Sequence, residues 1–254
     1  MKKQIAFLLL CSVLVWNACK PDETAEPDPG GGPGTTAYDF NAPANLPPIS
    51  QPADNTATEE GVALGRYLFY EERLSGNNTQ SCATCHVQAL AFTDNGTQFS
   101  TGIDGTVGTR NAMALINLVY ANAFFWDGRR NSLEAQAHDP VVNPIEMHET
   151  WPNAVAKLQA DPAYPPLFNA AFGTSTIDST LVGKAIAQFM RTMLSGNSKY
   201  DRVRRGEDAF TPEESLGFDL FQHEGGPVGV PIPLPGGGTV IGQGGADCFH
   251  CHST

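Results

Sequence analysis

Apolar residues recur at helical spacing in several stretches of the chain, most clearly between residues 179 and 194. Six of them fall at i, i+3, i+4, i+7, i+8 and i+11, which places them on one face of a helix: Val182, Ala185, Ile186, Phe189, Met190 and Met193. Asp178 precedes this run and is predicted to be its N-cap. The apolar face predicts a core contact, so both methionines are expected to be core residues rather than ligands.

Weaker runs predict short helices at 131–138 and 152–159. A helix is also predicted from about residue 57, with apolar residues roughly on one face: Val62, Leu64, Leu68 and Phe69. The segment Thr211–Glu214 has the pattern of a capping box with proline in the first turn, which predicts a helix there. Strand-like patterning is limited to a weak apolar stretch near 228–234, so the predicted fold class is all-α.

The N-terminus has the pattern of an export signal. Lys2 and Lys3 precede an apolar stretch, Ile5–Trp16, that is too short for a comfortable membrane span. The stretch is followed by Cys19, so residues 1–19 are predicted to be a signal peptide of the lipoprotein type. The mature chain is then expected in the periplasm or cell envelope, anchored by lipid on Cys19. An ordinary signal peptide cut nearby is the alternative.

Composition limits the organisation and the partners of the mature chain. Residues 20–50 are rich in Pro, Gly, Asp and Glu and predict a flexible tether, because such a segment cannot bury a core. The chain has 254 residues, of which 41% are hydrophobic, and this suffices for one or two domains. The net charge of −12 argues against nucleic acid as a partner.

Four of the six cysteines lie in two C-x-x-C-H motifs, Cys82–His86 and Cys248–His252. In such a motif two thiols can bond to the vinyl groups of a haem while the adjacent histidine coordinates its iron. A zinc site would pair C-x-x-C units at a shorter separation, and a thioredoxin-like motif would lie in a βαβ pattern. The motifs therefore predict two covalently bound haem c groups, with these attachment residues and iron ligands: Cys82, Cys85, His86, Cys248, Cys251 and His252.

Five segments carry a family resemblance: Leu68–Ser75, Ser81–His86, Phe125–Arg129, Glu134–Ala137 and Asn143–Met147. They resemble the bacterial dihaem cytochrome c peroxidases and their MauG relatives, over roughly residues 57–254. The resemblance implies two cytochrome c-like haem domains, a peroxidatic one at 51–198 and the start of an electron-transfer one at 199–254. The sequence ends two residues after His252, so we expect the second domain to be incomplete in it.

The resemblance also implies roles for single residues. The haem on His86 would be the low-potential, peroxidatic centre, and the haem on His252 would be the high-potential centre at which electrons enter. Trp126 matches the tryptophan that lies between the haems. Glu146 matches the distal acid–base carboxylate, and Gln136 matches its neighbour in the distal pocket.

Taken alone, the residue types leave other roles open. Trp126 follows two phenylalanines and could be a core-packing residue, and Glu146 could be a helix-start carboxylate that the helix dipole favours. Arg129 can pair with a haem propionate or form a structural salt bridge. Asn111 matches, within the resemblance, a ligand of a calcium ion between the domains.

One departure from the family pattern concerns the loop that precedes Trp126. Many family members carry a histidine there that occupies the sixth position on the peroxidatic iron, whereas our alignment places Ile103 at this position. No histidine occurs between His86 and His138. We therefore expect an open, five-coordinate first haem that needs no reductive activation. His138 and His148 could substitute, but both lie near the expected distal wall, and neither is favoured.

The resemblance implies a peroxidase that reduces hydrogen peroxide to water, with electrons from a small soluble cytochrome c or copper protein. One carboxylate can move the proton that leaves one peroxide oxygen and reaches the other, and burial would raise its pKa toward the working range. A MauG-type oxidase acting on a protein partner and a non-enzymatic electron carrier are the alternatives. A homodimer is compatible with each of them.

Overall fold

The computed structural model describes residues 34–94, 96–233 and 237–251. The predicted leader with Cys19, the predicted tether before residue 34, and His252 lie outside these residues. The described part consists of helices, turns and one small hairpin, which confirms the all-α fold class. No helix within it combines the length and apolar character that a membrane crossing requires.

The described residues contain α-helices, single-turn 3-10 helices and two short strands. In chain order, the α-helices are α1 Glu59–Phe69, α2 Cys82–Cys85, α3 Leu133–Val142, α4 Trp151–Ala160, α5 Tyr164–Phe172, α6 Ser179–Arg191, α7 Lys199–Arg204 and α8 Pro212–Gln222. The 3-10 helices are Glu72–Leu74, Gln88–Leu90, Leu118–Tyr120 and Cys248–His250, and the strands are β1 Pro231–Pro233 and β2 Thr239–Ile241. The chain divides into two compact units, with residues 34–40 and 49–193 in the first and residues 41–48 and 194–251 in the second.

In the first unit, α6 is the central helix, with α1 and α3 packed against it and α5 packed against α1. The predicted N-cap is confirmed, since the Asp178 side chain accepts from the Leu181 N–H at 2.8 Å. The apolar face of α6 is buried, and Met190 and Met193 are only 3% and 7% exposed. Both methionines are therefore core residues, as predicted.

Two helices differ from the sequence prediction because of proline. The prediction for α3 stopped at residue 138, but the helix continues through Pro140 to Val142, since one proline removes one hydrogen bond and need not end a helix. Helix α5 was not predicted at all. Its prolines, Pro165 and Pro166, lie in the first turn, where the missing N–H removes no hydrogen bond of the helix.

The crossing of α1 and α6 depends on a glycine. A Cβ built on Gly65 would lie 1.9 Å from the carbonyl oxygen of Ala185, so a residue with a side chain cannot occupy this position without moving a helix. The close crossing also brings the Phe69 ring, at the end of α1, to 5.3 Å from the Phe189 ring of α6. Gly65 therefore sets the distance between α1 and α6.

An ion-pair cluster fixes the segment that precedes the first C-x-x-C-H motif. Arg73 pairs with Glu71 at 2.8 Å and with Asp161 after α4, while the Tyr164 hydroxyl donates to Glu71. Burial opposes the ionisation of Glu71, but the hydrogen bonds from Arg73 and Tyr164 outweigh it and hold the pKa of this carboxyl below its ordinary value. Lys157 of α4 also donates to the Arg73 carbonyl, so the segment is held on both sides.

In the second unit, the predicted capping box at the start of α8 is confirmed by reciprocal bonds between Thr211 and Glu214. Helix α7 begins with a second capping box, Ser198–Asp201. The apolar stretch near 228–234 contains β1, which pairs antiparallel with β2. The assignment of the two units as cytochrome c-like domains stays a prediction.

We predict that Gly65→Ala destabilises the protein by about 1–3 kcal/mol, because the added methyl group overpacks the α1–α6 crossing. Urea unfolding followed by circular dichroism would measure the change. Gly217→Ala is the matched control, since a Cβ at this position in α8 meets nothing within 4 Å and raises helix propensity by roughly 0.5–1 kcal/mol. Equal effects of the two substitutions would contradict the proposed role of Gly65.

Candidate functional site

The first unit encloses a cavity of about 380 Å³, and the first C-x-x-C-H motif lines it. Its apolar wall includes Phe69 from α1 and Ile186 and Met190 from α6, so the close helix crossing forms part of the cavity. The polar wall brings together side chains from the motif, from α3 and from the loops around it: Cys82, Cys85, His86, Gln136, Asn143, Glu146, Trp126 and Arg129. Residues that are far apart in the sequence thus share one site.

The motif folds as a single helical turn, which puts Cys82 and Cys85 on one side. The turn begins at Ser81, whose N–H donates to Thr84 Oγ1 at 3.0 Å. It ends at His86, whose N–H donates to the Cys82 carbonyl at 3.0 Å. The His86 ring Nδ1 lies 3.0 Å from the Phe92 carbonyl oxygen. A carbonyl can only accept, so Nδ1 carries the proton and Nε2 is left as the ligand atom.

The ionisation states of the motif residues fit a covalently attached haem. Burial lowers the pKa of His86, which favours the neutral imidazole that a metal requires. Burial also raises the pKa of Cys82 to about 12 and raises that of Cys85. Such thiols are not the reactive thiolate pair of a redox motif. Together with the apolar wall, this donor set is suited to a haem held by two thioethers and one histidine.

Glu146 reaches the cavity from the loop after α3. The Asn143 side-chain amide donates to Glu146 Oε1 at 2.8 Å, and the Glu146 N–H donates to the Asn143 carbonyl at 3.0 Å. Burial raises the pKa of Glu146, and the Asn143 hydrogen bond and the charge of Arg129 only partly offset this effect. Compared with an ordinary glutamic acid, Glu146 thus holds its proton more tightly, and Gln136 of α3 lines the same cavity.

The loop that contains Ile103 supports the Glu146 backbone from behind. The Ile103 N–H donates to the Glu146 carbonyl at 3.0 Å. A Cβ on the buried Gly102 would lie 1.9 Å from the Ile145 carbonyl oxygen, so the two segments touch backbone to backbone. Thr101 and Gly102 line the cavity, whereas the Ile103 side chain lies against Gly76.

Histidine is scarce around this cavity. Among the described residues that line it, His86 supplies the one imidazole. His148 has its ring Nδ1 at 2.6 Å from Asp104, and His138 stacks on Trp151 with ring centroids 4.6 Å apart. Neither histidine lines the described cavity, and the open sixth position on the first haem stays a prediction.

Trp126 lies at the rim of the cavity with 65% of its surface exposed. Its indole N–H donates to the Asn111 carbonyl at 2.9 Å. The core-packing interpretation of Trp126 is therefore wrong, and in the same aromatic run it is Phe124 that is buried. The Asn111 side-chain amide donates to the Gln98 carbonyl at 2.6 Å, so its role as a calcium ligand stays a prediction.

Arg129 forms a structural salt bridge, one of the two roles that its residue type allowed. It pairs with Asp127 at 3.1 Å and with Asp139 at 3.6 Å, and its guanidinium stacks 3.4 Å from the centre of the Phe125 ring. Because Arg129 also lines the cavity, it holds a fixed positive charge in the wall.

The second motif is described as far as Cys251. Cys248 and His250 lie in a 3-10 turn, and His250 Nε2 is 3.2 Å from a carboxylate oxygen of Glu224. His252 lies outside the described residues, so its role as an iron ligand stays a prediction, as do the attachment roles of Cys248 and Cys251.

Sequence reasoning missed the partner of Glu146. The i, i+3 spacing of Asn143 and Glu146 was part of a family segment, but it carried no assigned role. The signal that could have revealed it is an asparagine at the end of a helix, whose side-chain oxygen often accepts from the backbone two residues on; Asn143 Oδ1 accepts from the Ile145 N–H at 3.0 Å, which leaves its amide N–H to donate to Glu146.

Comparison with known proteins gives concordant matches. Residues 59–209 match the family model described as di-haem cytochrome c peroxidase. The chain is 37% identical over 217 residues to the methylamine utilization protein MauG of Methylorubrum extorquens, covering 85% of this chain and 54% of that protein. It is 36% identical over 184 residues to the cytochrome c peroxidase Ccp of Escherichia coli (strain K12), covering 72% of this chain and 38% of that protein.

One of the similar solved structures is that of a MauG-like protein associated with microbial copper homeostasis. It matches with a TM-score of 0.69 at 36% identity, over 73% of this chain and 55% of that chain. The chain spans about half the length of the curated relatives it matches.

We predict that Asn143→Ala raises the pKa of Glu146 further, because the lost hydrogen bond stabilises the ionised carboxylate. Protonated Glu146 should then persist to higher pH, which infrared titration of the carboxyl band in the complete protein would show. Asn153→Ala is the control, since Asn153 donates to Glu149 instead, at 2.8 Å. A downward or absent shift for Asn143→Ala would contradict the assignment.

Proposed function

Because this chain belongs to the di-haem cytochrome c peroxidase family, we propose that it reduces hydrogen peroxide to water with electrons from a small cytochrome c or copper protein. The observation that carries the proposal is the shared cavity, which holds Glu146 and Gln136 together with the C-x-x-C-H residues. We assign one haem c to Cys82, Cys85 and His86, and the second to Cys248, Cys251 and His252. A haem iron supplies the redox centre at which the peroxide bond is reduced.

Glu146 is proposed as the acid–base group. In its ionised form it takes the proton from the peroxide oxygen that is bound, and in its protonated form it returns that proton to the oxygen that leaves. The raised pKa fits this task, because a proton carrier works best when both forms are accessible near the working pH. The Gln136 amide can donate to one peroxide oxygen and accept from the other, and thereby orient the substrate.

A residue of the chain is also proposed to carry electrons between the two haems. Trp126 is proposed as the aromatic group through which electrons from the second haem reach the first. Its indole is fixed by the Asn111 carbonyl at the cavity rim, so its position relative to the cavity is defined. The predicted export signal supports a location in the periplasm or cell envelope.

A MauG-like oxidation of a protein partner is the second candidate, and the match to MauG over 85% of this chain supports it. Such a partner could dock at the exposed Trp126. A non-enzymatic electron carrier is less compatible with the site, because the described cavity wall offers one imidazole and a protonatable Glu146.

We predict that Glu146→Gln lowers the rate of peroxide turnover by about 10²–10⁴-fold, because the amide cannot carry the proton. Stopped-flow kinetics with the complete, haem-loaded protein and a reduced small cytochrome would measure it. Glu72→Gln, an exposed carboxylate of the same unit, is the control and should retain full turnover. Unchanged turnover in Glu146→Gln would remove the acid–base assignment.

We also predict turnover from the fully oxidised protein without prior half-reduction, because no second histidine lines the described cavity. Rates begun from the oxidised and half-reduced states should agree. A resting low-spin spectrum with two histidine ligands on the first haem, or activity only after half-reduction, would show that a ligand must first leave.

A further inference from the structure

Tyr70 connects the cavity with the protein surface. It follows α1 directly, and it is 41% exposed. Its ring lies 5.4 Å from the ring of Phe69, which is fully buried and lines the cavity. The contact is edge-on, an arrangement that aromatic rings favour. One aromatic contact therefore spans the wall between the cavity and solvent.

A second link joins Tyr70 to the first motif. The Tyr70 hydroxyl donates to Gln88 Oε1 at 3.0 Å, and Gln88 lies two residues after His86. The phenol is thus held in one orientation, with an acceptor at its hydroxyl and solvent beside it. These are the conditions under which a phenol can lose an electron and its proton together.

We propose that Tyr70 is a redox-active surface site. It gives an electron to the cavity through Phe69 when no reduced external donor is available. The inference rests on the proposed peroxidase function, which supplies the oxidant. Each Tyr70 loses one electron, and its hydroxyl proton passes to solvent. Reduction of one peroxide to two waters takes two electrons and two protons: Tyr70 gives one electron and, through solvent, one proton, while the haem groups of the same protein would give the second electron and solvent the second proton.

Such a site protects the cavity wall. Three methionines line the cavity, Met113, Met147 and Met190, and methionine is readily oxidised to its sulfoxide. Met190 is also part of the core, where a polar sulfoxide would disrupt packing. If Tyr70 is oxidised before these methionines, the oxidising equivalent moves to the surface, where a reductant in solvent can reduce the tyrosine again.

The neighbouring Tyr67 provides a matched comparison. It lies in the last turn of α1, three residues before Tyr70, and is more exposed, at 61%, but among the described residues it makes no ring contact with Phe69. Oxidation governed by solvent exposure alone would therefore mark Tyr67, whereas oxidation from the cavity would mark Tyr70.

The test treats the complete, haem-loaded protein with hydrogen peroxide, a nitroso spin trap and no electron donor. Peptide mass spectrometry then locates the trapped radicals, and peroxide consumption is followed in the same samples. We expect the adduct on Tyr70, its loss in Tyr70→Phe, and its suppression by a reduced cytochrome. Tyr70→Phe should also increase sulfoxide at the cavity methionines, whereas Tyr67→Phe should change neither readout.

The outcomes separate this inference from the proposed function. Normal peroxide consumption with the adduct on Tyr67, or with no adduct on Tyr70, overturns the role of Tyr70 alone. Absence of peroxide consumption in the sample that contains the reduced cytochrome overturns the proposed function and this inference with it. An adduct pattern that Tyr70→Phe leaves unchanged also overturns the inference.

Discussion

The close crossing of α1 and α6 is the constraint on which the first unit depends. Gly65 lets the two backbones approach to a distance that a single methyl group would prevent. Two surfaces meet there: the last turn of α1 with Phe69, and the apolar face of α6 with Ile186 and Met190. These three side chains form part of the apolar wall of the cavity, so the packing of the two helices also determines the environment of the cofactor.

The opposite wall is polar, and backbone contacts set its position. Gly102 and Ile103 meet the backbone of Ile145 and Glu146, and Asn143 binds the Glu146 side chain. Among the described residues no cation forms an ion pair with this carboxyl group, so these contacts fix its position and leave it able to bind a proton. A site of this kind needs its acid on a rigid support, because a displaced proton donor loses much of its effect.

The sequence predicted elements whose signal is local. The apolar face of α6, its Asp178 cap and the capping box of α8 all follow from residues within a few positions of one another. The helix prediction failed at prolines: it missed α5 and ended α3 too early. Unlike α8, α5 has no capping side chain to mark its start, and local sequence cannot show that α3, which packs on α6, continues past Pro140.

The candidate site, like the fold, could be predicted only in part. The motif spacing indicated that Cys82, Cys85 and His86 act together, and the structure brings Glu146 and Gln136 to the same cavity. The exposure of Trp126 ran against the interpretation that residue type alone favoured. Contacts made through backbone atoms leave no mark on residue type, which is why the bond from His86 to the Phe92 carbonyl could not be foreseen.

The acidity of Glu146 shows how these contacts combine. Burial raises the pKa of the carboxyl above its ordinary value, and an acid whose pKa lay far above the working pH would not release its proton in catalysis. The hydrogen bond from Asn143 and the charge of Arg129 act in the opposite direction. Arg129 is itself held by Asp127 and stacked on Phe125, so the charge that faces Glu146 stays in place. The proton affinity of the carboxyl is therefore set by rigid neighbours, which need not reorganise when the proton moves.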